Sequence, residues 1–276
     1  MSIQLRCPAC HNELALQAKG ACCENNHQFD RAKQGYLNLL PSHKMRSKTP
    51  GDDKTMVQAR TRFLNDGYYQ PVAQALRNAI KPLVDHQKVP CILDAGCGEG
   101  YYTTEVRREF VRGDFCGLDI SKPAILASSK RDKTMTWLVG SVVDLPFMDQ
   151  QFDVIISVFS RCDWQEFTRV LKPGGHIIML APGKEHLLEL RQAIYEQVRP
   201  YPVDKQVEQL PDALRLIESQ PVSCVMHLPD TQAIMDLLAM TPHYWHVKPD
   251  QKARLQQLQQ LSCRLDMKLY RIQKTE

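Results

Sequence analysis

The chain has 276 residues, 43% hydrophobic and 24% charged, with a formal net charge of +4. That suffices for one large domain plus a small appendage and excludes a fibrous or intrinsically disordered chain. No apolar run reaches membrane-span length and no basic-then-apolar signal pattern opens the N-terminus, so a cytoplasmic protein without membrane attachment is expected. Ten cysteines in such a chain read as thiols and metal ligands rather than a disulfide framework, and the mild charge names no partner by itself.

Residues 1–40 carry a module of their own. Cys7-Pro-Ala-Cys10 is a C-x2-C knuckle, and Cys23-x3-His27 follows after twelve residues, with a Gly20-containing hairpin between the pairs. Two close pairs of soft or borderline ligands suit tetrahedral zinc, and a filled Cys3His site leaves no position for an activated water, so a structural role or one in RNA recognition is expected. Cys22 is an alternative to Cys23, although the x3 spacing and the Asn25-Asn26 turn favour Cys23. A redox C-x-x-C would need a thioredoxin-like βαβ setting, which the flanking sequence lacks.

Residues 41–85 form a basic linker and two helices. Over residues 28–62, Arg31, Lys33, His43, Lys44, Arg46, Lys48, Lys54, Arg60 and Arg62 outnumber Asp30, Asp52 and Asp53, with Phe29 and Tyr36 interspersed. Such a segment can face phosphates and stack bases, or it can be an ordinary solvated linker. Apolar spacing predicts helices over 55–66 and 71–84, expected to pack on the edge of a sheet that begins near Val89.

From Pro90 the pattern changes. A short apolar run ends at Asp94, and Gly96, Gly98 and Gly100 follow at alternate positions before a helix-forming segment, a strand–turn–helix unit. The spacing G-x-G-x-G differs from the dinucleotide fingerprint, whose third glycine would fall at Tyr101. It resembles the D-x-G-x-G-x-G signature of class I S-adenosylmethionine-dependent methyltransferases. The turn clears space for the amino-acid part of that cofactor, helix amides can face its carboxylate, and Asp94 can pair with its ammonium. A second strand ends at Asp119, placed to accept ribose hydroxyls, with Ser121 and Pro123 starting the next helix. A third strand over 135–140 leads into Ser141–Phe147, the stretch that cradles adenine in this superfamily. Many relatives carry Asp directly after that glycine; here it is Ser141, leaving Asp144 as a weaker candidate. Strands over 153–159, 176–181, 222–228 and 264–272, with helices over 185–198 and 231–240, complete residues 86–276 as a doubly wound, seven-stranded Rossmann-like α/β domain.

Taken with the zinc module, the chain resembles the bacterial 23S rRNA (guanine-N1-)-methyltransferase family over nearly its whole length. The shared pieces include His27-Gln-Phe-Asp30, Gly35-Tyr-x-Asn-Leu-Leu-Pro41, Pro50-Gly-Asp52, Met56-x-x-Ala-Arg60, Gly67-x-Tyr69-Gln-Pro71, Pro182-Gly183-x-x-His186-Leu and Met240-Thr-Pro242. The resemblance implies zinc on Cys7, Cys10, Cys23 and His27, and cofactor contacts at Tyr69, Gly98, Glu99 and His186. It implies a homodimer that methylates N1 of a guanine (guanine 745 in the family's pattern) in a 23S rRNA hairpin. Asp163, just after the fourth strand, is the candidate base for the N1 proton, with solvent as the alternative. One departure stands out: where relatives carry Ala-Pro-Cys, this chain has Ser160-Arg161-Cys162-Asp163. Two other readings fit parts of the pattern, namely a methyltransferase acting on a small quinone-like molecule and a catalytically silent rRNA-binding protein.

Overall fold

The computed structural model describes residues 3–45, 47 and 49–275. The N-terminal segment forms an antiparallel ribbon of β1 (Leu5–Arg6), β2 (Glu13–Gln17), β3 (Gly20–Cys23) and β4 (Gln28–Asp30), in that order. The next strand, β5 (Leu37–Asn38), leaves the ribbon and pairs in parallel with β8 (Thr136–Val139) of the main sheet.

Two helices follow, α1 (Lys54–Asn65) and α2 (Gln70–Val84). The α/β core then runs β6 (Cys91–Ala95), α3 (Tyr101–Glu109), β7 (Asp114–Asp119), α4 (Lys122–Arg131), β8, β9 (Phe152–Val158), α5 (Trp164–Val170) and β10 (Leu171–Pro182). It finishes with α6 (Leu188–Ile194), β11 (Leu214–Leu228), α7 (Thr231–Ala239), α8 (Pro249–Gln257) and β12 (Leu261–Lys274). The sheet order is β11-β12-β10-β9-β6-β7-β8-β5, with β12 antiparallel to both its neighbours. The seven expected strands are present, and β5 adds an eighth at the edge. Strand order reverses between β6 and β9, so a crevice opens outside their carboxyl ends, where α/β sheets bind ligands.

Alternation along the strands divides the interior into two cores. Ile92, Val154, Ile156 and Ile178 pack against Leu76 and Ile80 of α2, Val106 of α3, Ile125 of α4, Leu190 of α6 and Ile234 of α7. Leu93, Ile155, Ile177 and Met179 point the other way, where α5 supplies Phe167 and Val170 and the ribbon supplies Leu5, Leu14 and Ala21. The zinc module therefore covers part of a sheet face. Leu5 bridges Phe147, Arg6 N–H donates to the Pro146 carbonyl at 3.0 Å, and Met148 N–H donates to that of Gln4 at 3.1 Å.

The edge-packing expectation for α1 and α2 is corrected. The buried stripe Val72, Ala73, Leu76, Ile80 seats α2 over β9, β10 and β11, while α1 lies on α3, α4 and α7. The helix expected over 185–198 is confined to α6. No helix among the described residues is long and apolar enough to cross a membrane.

Candidate active site and metal centre

The turn after β6 is built on left-handed glycines. Gly96, Gly98 and Gly100 have φ of +90°, +56° and +79°, conformations that strain any residue with a Cβ. Space is equally short: a Cβ at Gly96 would fall on the Ser160 side chain, and one at Gly100 would stand 2.8 Å from the Trp137 ring. Asp119 organises the turn from β7. Its Oδ2 accepts from Gly98 N–H at 2.9 Å and its Oδ1 from Ser121 N–H at 2.7 Å. Burial pushes its carboxyl pKa up, and these two amides oppose the rise. Asp94 is 1% exposed and accepts from the Thr103 hydroxyl at 2.6 Å. Burial lifts its pKa to about 7, against the pull of that hydroxyl.

Glu99 is 2% exposed, and its Oε1 has no hydrogen-bond partner among the described residues, only the Arg131 guanidinium at 3.9 Å. Burial raises its pKa, with Arg60 as the main opposing charge. His186 shares that condition: it is buried, its Nδ1 has no hydrogen-bond partner among the described residues, and desolvation drops its pKa to about 4, so the ring is neutral. Phe159, the left-handed residue (φ +53°) that ends β9, links the distant site residues. Its ring lies 6.3 Å from that of buried Tyr69 and 5.5 Å from His186.

This set fits S-adenosylmethionine. The glycine cradle tolerates no Cβ, buried carboxylates suit an ammonium and ribose hydroxyls, and two orphaned polar atoms await a ligand. All of Tyr69, Asp94, Gly96, Gly98, Glu99, Gly100, Asp119 and His186 lie on the connected ends of β6, β7 and β9 or on the rings joined through Phe159. Two residues escaped the sequence reading. Arg60 reaches this loop rather than solvent, its Nη1 standing 3.3 Å from where a Gly98 Cβ would sit. Phe159 was read only as the end of a strand.

The remaining candidates have structural duties. Asp163 caps α5, its Oδ1 accepting from Glu166 N–H at 3.2 Å. Asp144 pairs with Arg6 of the ribbon at 3.0 Å instead of standing ready for adenine. Arg161 is exposed, whereas the Cys162 thiol lies 3.4 Å from the Ser157 hydroxyl with its pKa lifted to about 11 by burial.

Cys7, Cys10, Cys23 and His27 converge, with all four ligand atoms within 4.8 Å of one another. The Cys10–Cys23 sulfur separation is 3.7 Å, and His27 Nδ1 lies 3.6 Å from Cys7 and 3.4 Å from Cys23. Tetrahedral zinc at ordinary bond lengths puts neighbouring ligand atoms about 3.6–3.8 Å apart. Cys22 turns its thiol to the Cys23 carbonyl instead, so Cys23 is the ligand. In the basic segment Lys33, His43 and Lys54 are exposed; Arg46 and Lys48 lie outside the described residues.

Comparison with known proteins agrees with both halves. Residues 5–48 match the family model described as "RlmA, N-terminal", and residues 93–179 match "Methyltransferase domain". The 23S rRNA (guanine(748)-N(1))-methyltransferase of Streptomyces fradiae is 32% identical, covering 91% of this chain and 89% of its own. A Bacillus subtilis protein named provisionally as a 23S rRNA (guanine-N(1)-)-methyltransferase is 34% identical, covering 95% and 94%. Among solved structures, the YcgJ protein of Bacillus subtilis superposes with a TM-score of 0.50 at 16% identity over 72% of this chain and 98% of its own, a likeness of fold. The chain is thus an S-adenosylmethionine-dependent methyltransferase with a Cys3His ribbon suited to structural zinc, and it belongs to the bacterial 23S rRNA (guanine-N1-)-methyltransferase family.

Proposed function

We propose that this protein methylates N1 of a guanine in a hairpin of 23S rRNA. The observation that carries the reading is whole-chain similarity, ribbon included, to relatives named for that reaction. A ribbon docked on the sheet face, with β5 joined to the sheet, makes the N-terminal segment an integral part of the enzyme.

S-adenosylmethionine supplies a methyl group already activated by its sulfonium, so the protein's task is alignment, exclusion of water and handling of one proton. N1 lies on the Watson–Crick edge, so the guanine must leave its pair before it can be reached. Phe159, at the carboxyl end of β9 and 42% exposed, offers a ring on which a displaced base can stack. The N1 proton passes to Asp163, whose capping bond is made by Oδ1, or to solvent. The exposed basic residues of the linker face the RNA phosphates, and the working unit is a cytoplasmic homodimer whose cleft takes the hairpin.

The test is methylation of a transcribed 23S rRNA hairpin followed by reverse transcription, which stops at N1-methylguanosine. A stop at guanine 745 is expected, and a stop at 748 would align the protein with its Streptomyces fradiae relative. Methylation at another atom, or none, would overturn the assignment.

A further inference from the structure

Two shared motifs without a role so far, Pro50-Gly-Asp52 and Met56-x-x-Ala-Arg60, meet over the glycine loop. Gly51, with φ +77°, runs so close to the end of β7 that a Cβ would come within 2.9 Å of both the Ile120 and Ser121 side chains. The Ser121 hydroxyl donates to the Asp52 carbonyl at 2.6 Å, and Asp53 then caps α1 by accepting from Met56 N–H at 2.9 Å. These three residues lie as a strap beside Asp119. From α1, Arg60 reaches back: its Nη2 is 2.5 Å from Asp52 Oδ2 and 3.5 Å from the Met240 carbonyl. Its Nη1 faces Gly98, and its charge acts on both Glu99 and Asp119. Burial works against that charge, and the surrounding carboxylates outweigh the penalty, so the guanidinium stays protonated.

We propose that the Asp52–Arg60 pair is a positioning device for the cofactor. Arg60 braces the Gly98 turn from α1, and Asp52 fastens that guanidinium and the strap Gly51–Asp53 over the nucleoside edge of the site. The inference rests on the cofactor site as assigned above. A different role for Arg60, direct pairing with the cofactor's carboxylate, makes the opposite prediction for Asp52. Releasing the guanidinium would then leave cofactor binding intact or strengthen it.

The experiment measures S-adenosylhomocysteine affinity by calorimetry on the zinc-loaded full chain, with KM and kcat for S-adenosylmethionine and urea unfolding alongside. Asp52→Asn is expected to weaken binding about tenfold, the loss of one charge-assisted contact. The loss should appear in KM for S-adenosylmethionine more than in kcat, and the variant should still unfold in one cooperative transition. Arg60→Gln should weaken binding at least as much, and Arg60→Lys should recover most of it. Parent-like or tighter binding in Asp52→Asn, or parent-like affinity in Arg60→Gln, would overturn the proposal. Failure of the parent itself to bind S-adenosylhomocysteine would instead remove the cofactor site on which it rests.

Discussion

Asp94→Asn is expected to make the cofactor-free protein more stable at neutral pH while it weakens cofactor binding. Asp94 lies at the end of β6 with 1% exposure, and its carboxylate accepts from the Thr103 hydroxyl. Its pKa stands at about 7 against an ordinary 3.8. Because the folded pKa is raised, the protonated acid suits the fold. Stability from this group is present at low pH and is lost as pH rises from about 4 to about 7. The full shift corresponds to about 4 kcal/mol at pH 8, and about 1–2 kcal/mol of it has already been lost at pH 5. Asparagine keeps an oxygen for Thr103 and never ionises. Urea unfolding of parent and variant at pH 5 and pH 8 should therefore show a stability gain larger by about 3 kcal/mol at the higher pH. S-adenosylhomocysteine affinity should fall in the same variant, since the carboxylate is retained for its ligand at the fold's expense. A pH-independent difference, or a variant less stable than the parent at pH 8, would refute the argument.

Three further outcomes follow from the geometry. Glu99→Gln should weaken S-adenosylhomocysteine binding about ten- to hundredfold at little cost in urea stability, because among the described residues its Oε1 accepts no hydrogen bond and its ion-pair partner Arg131 Nη2 stands 3.9 Å away. Arg6→Ala removes half-buried pairs with Asp144 at 3.0 Å and Glu166 at 3.5 Å. It should cost about 1–3 kcal/mol in urea unfolding and leave cofactor affinity unchanged. Zinc analysis should find one ion per chain in the parent and none in Cys7→Ser. Because Leu5 and Leu14 share a core with Leu93 and Ile155, the variant should unfold in a single transition at lower temperature. A separate ribbon transition above an unmoved core transition would show the two to be independent.

The parts legible in the sequence were those written in adjacent residues. Ligand spacing in Cys7–Cys10 and Cys23–His27, the glycine alternation after Asp94 and the strand ending at Asp119 each express local geometry. Long-range packing was not written that way. Nothing in Leu37–Asn38, a two-residue strand, announces that it pairs with β8, a hundred residues on. The same holds for the ribbon, whose few apolar residues match a sheet face that a reader expects helices to cover. α8 was missed because only Leu255 in Pro249–Gln257 is buried, leaving no apolar period to detect. The strand expected from Val222 begins earlier, at Leu214, and was missed there because Arg215–Ser219 lies exposed at the sheet edge and carries no apolar alternation. Tyr69 and His186 came from family resemblance alone; what joins them is Phe159, whose backbone conformation is set by the turn after β9. Arg60 looked like one more linker charge until α1 folded it back onto Asp52.

The most direct test of the central claim is transfer of labelled methyl from S-adenosylmethionine to unmodified 23S rRNA, followed by nucleoside analysis. The account predicts N1-methylguanosine, lost in Asp119→Ala through the cofactor site and in Cys7→Ser through the ribbon. Unlabelled RNA from zinc-loaded protein that binds S-adenosylhomocysteine would contradict it and direct the search to small-molecule acceptors.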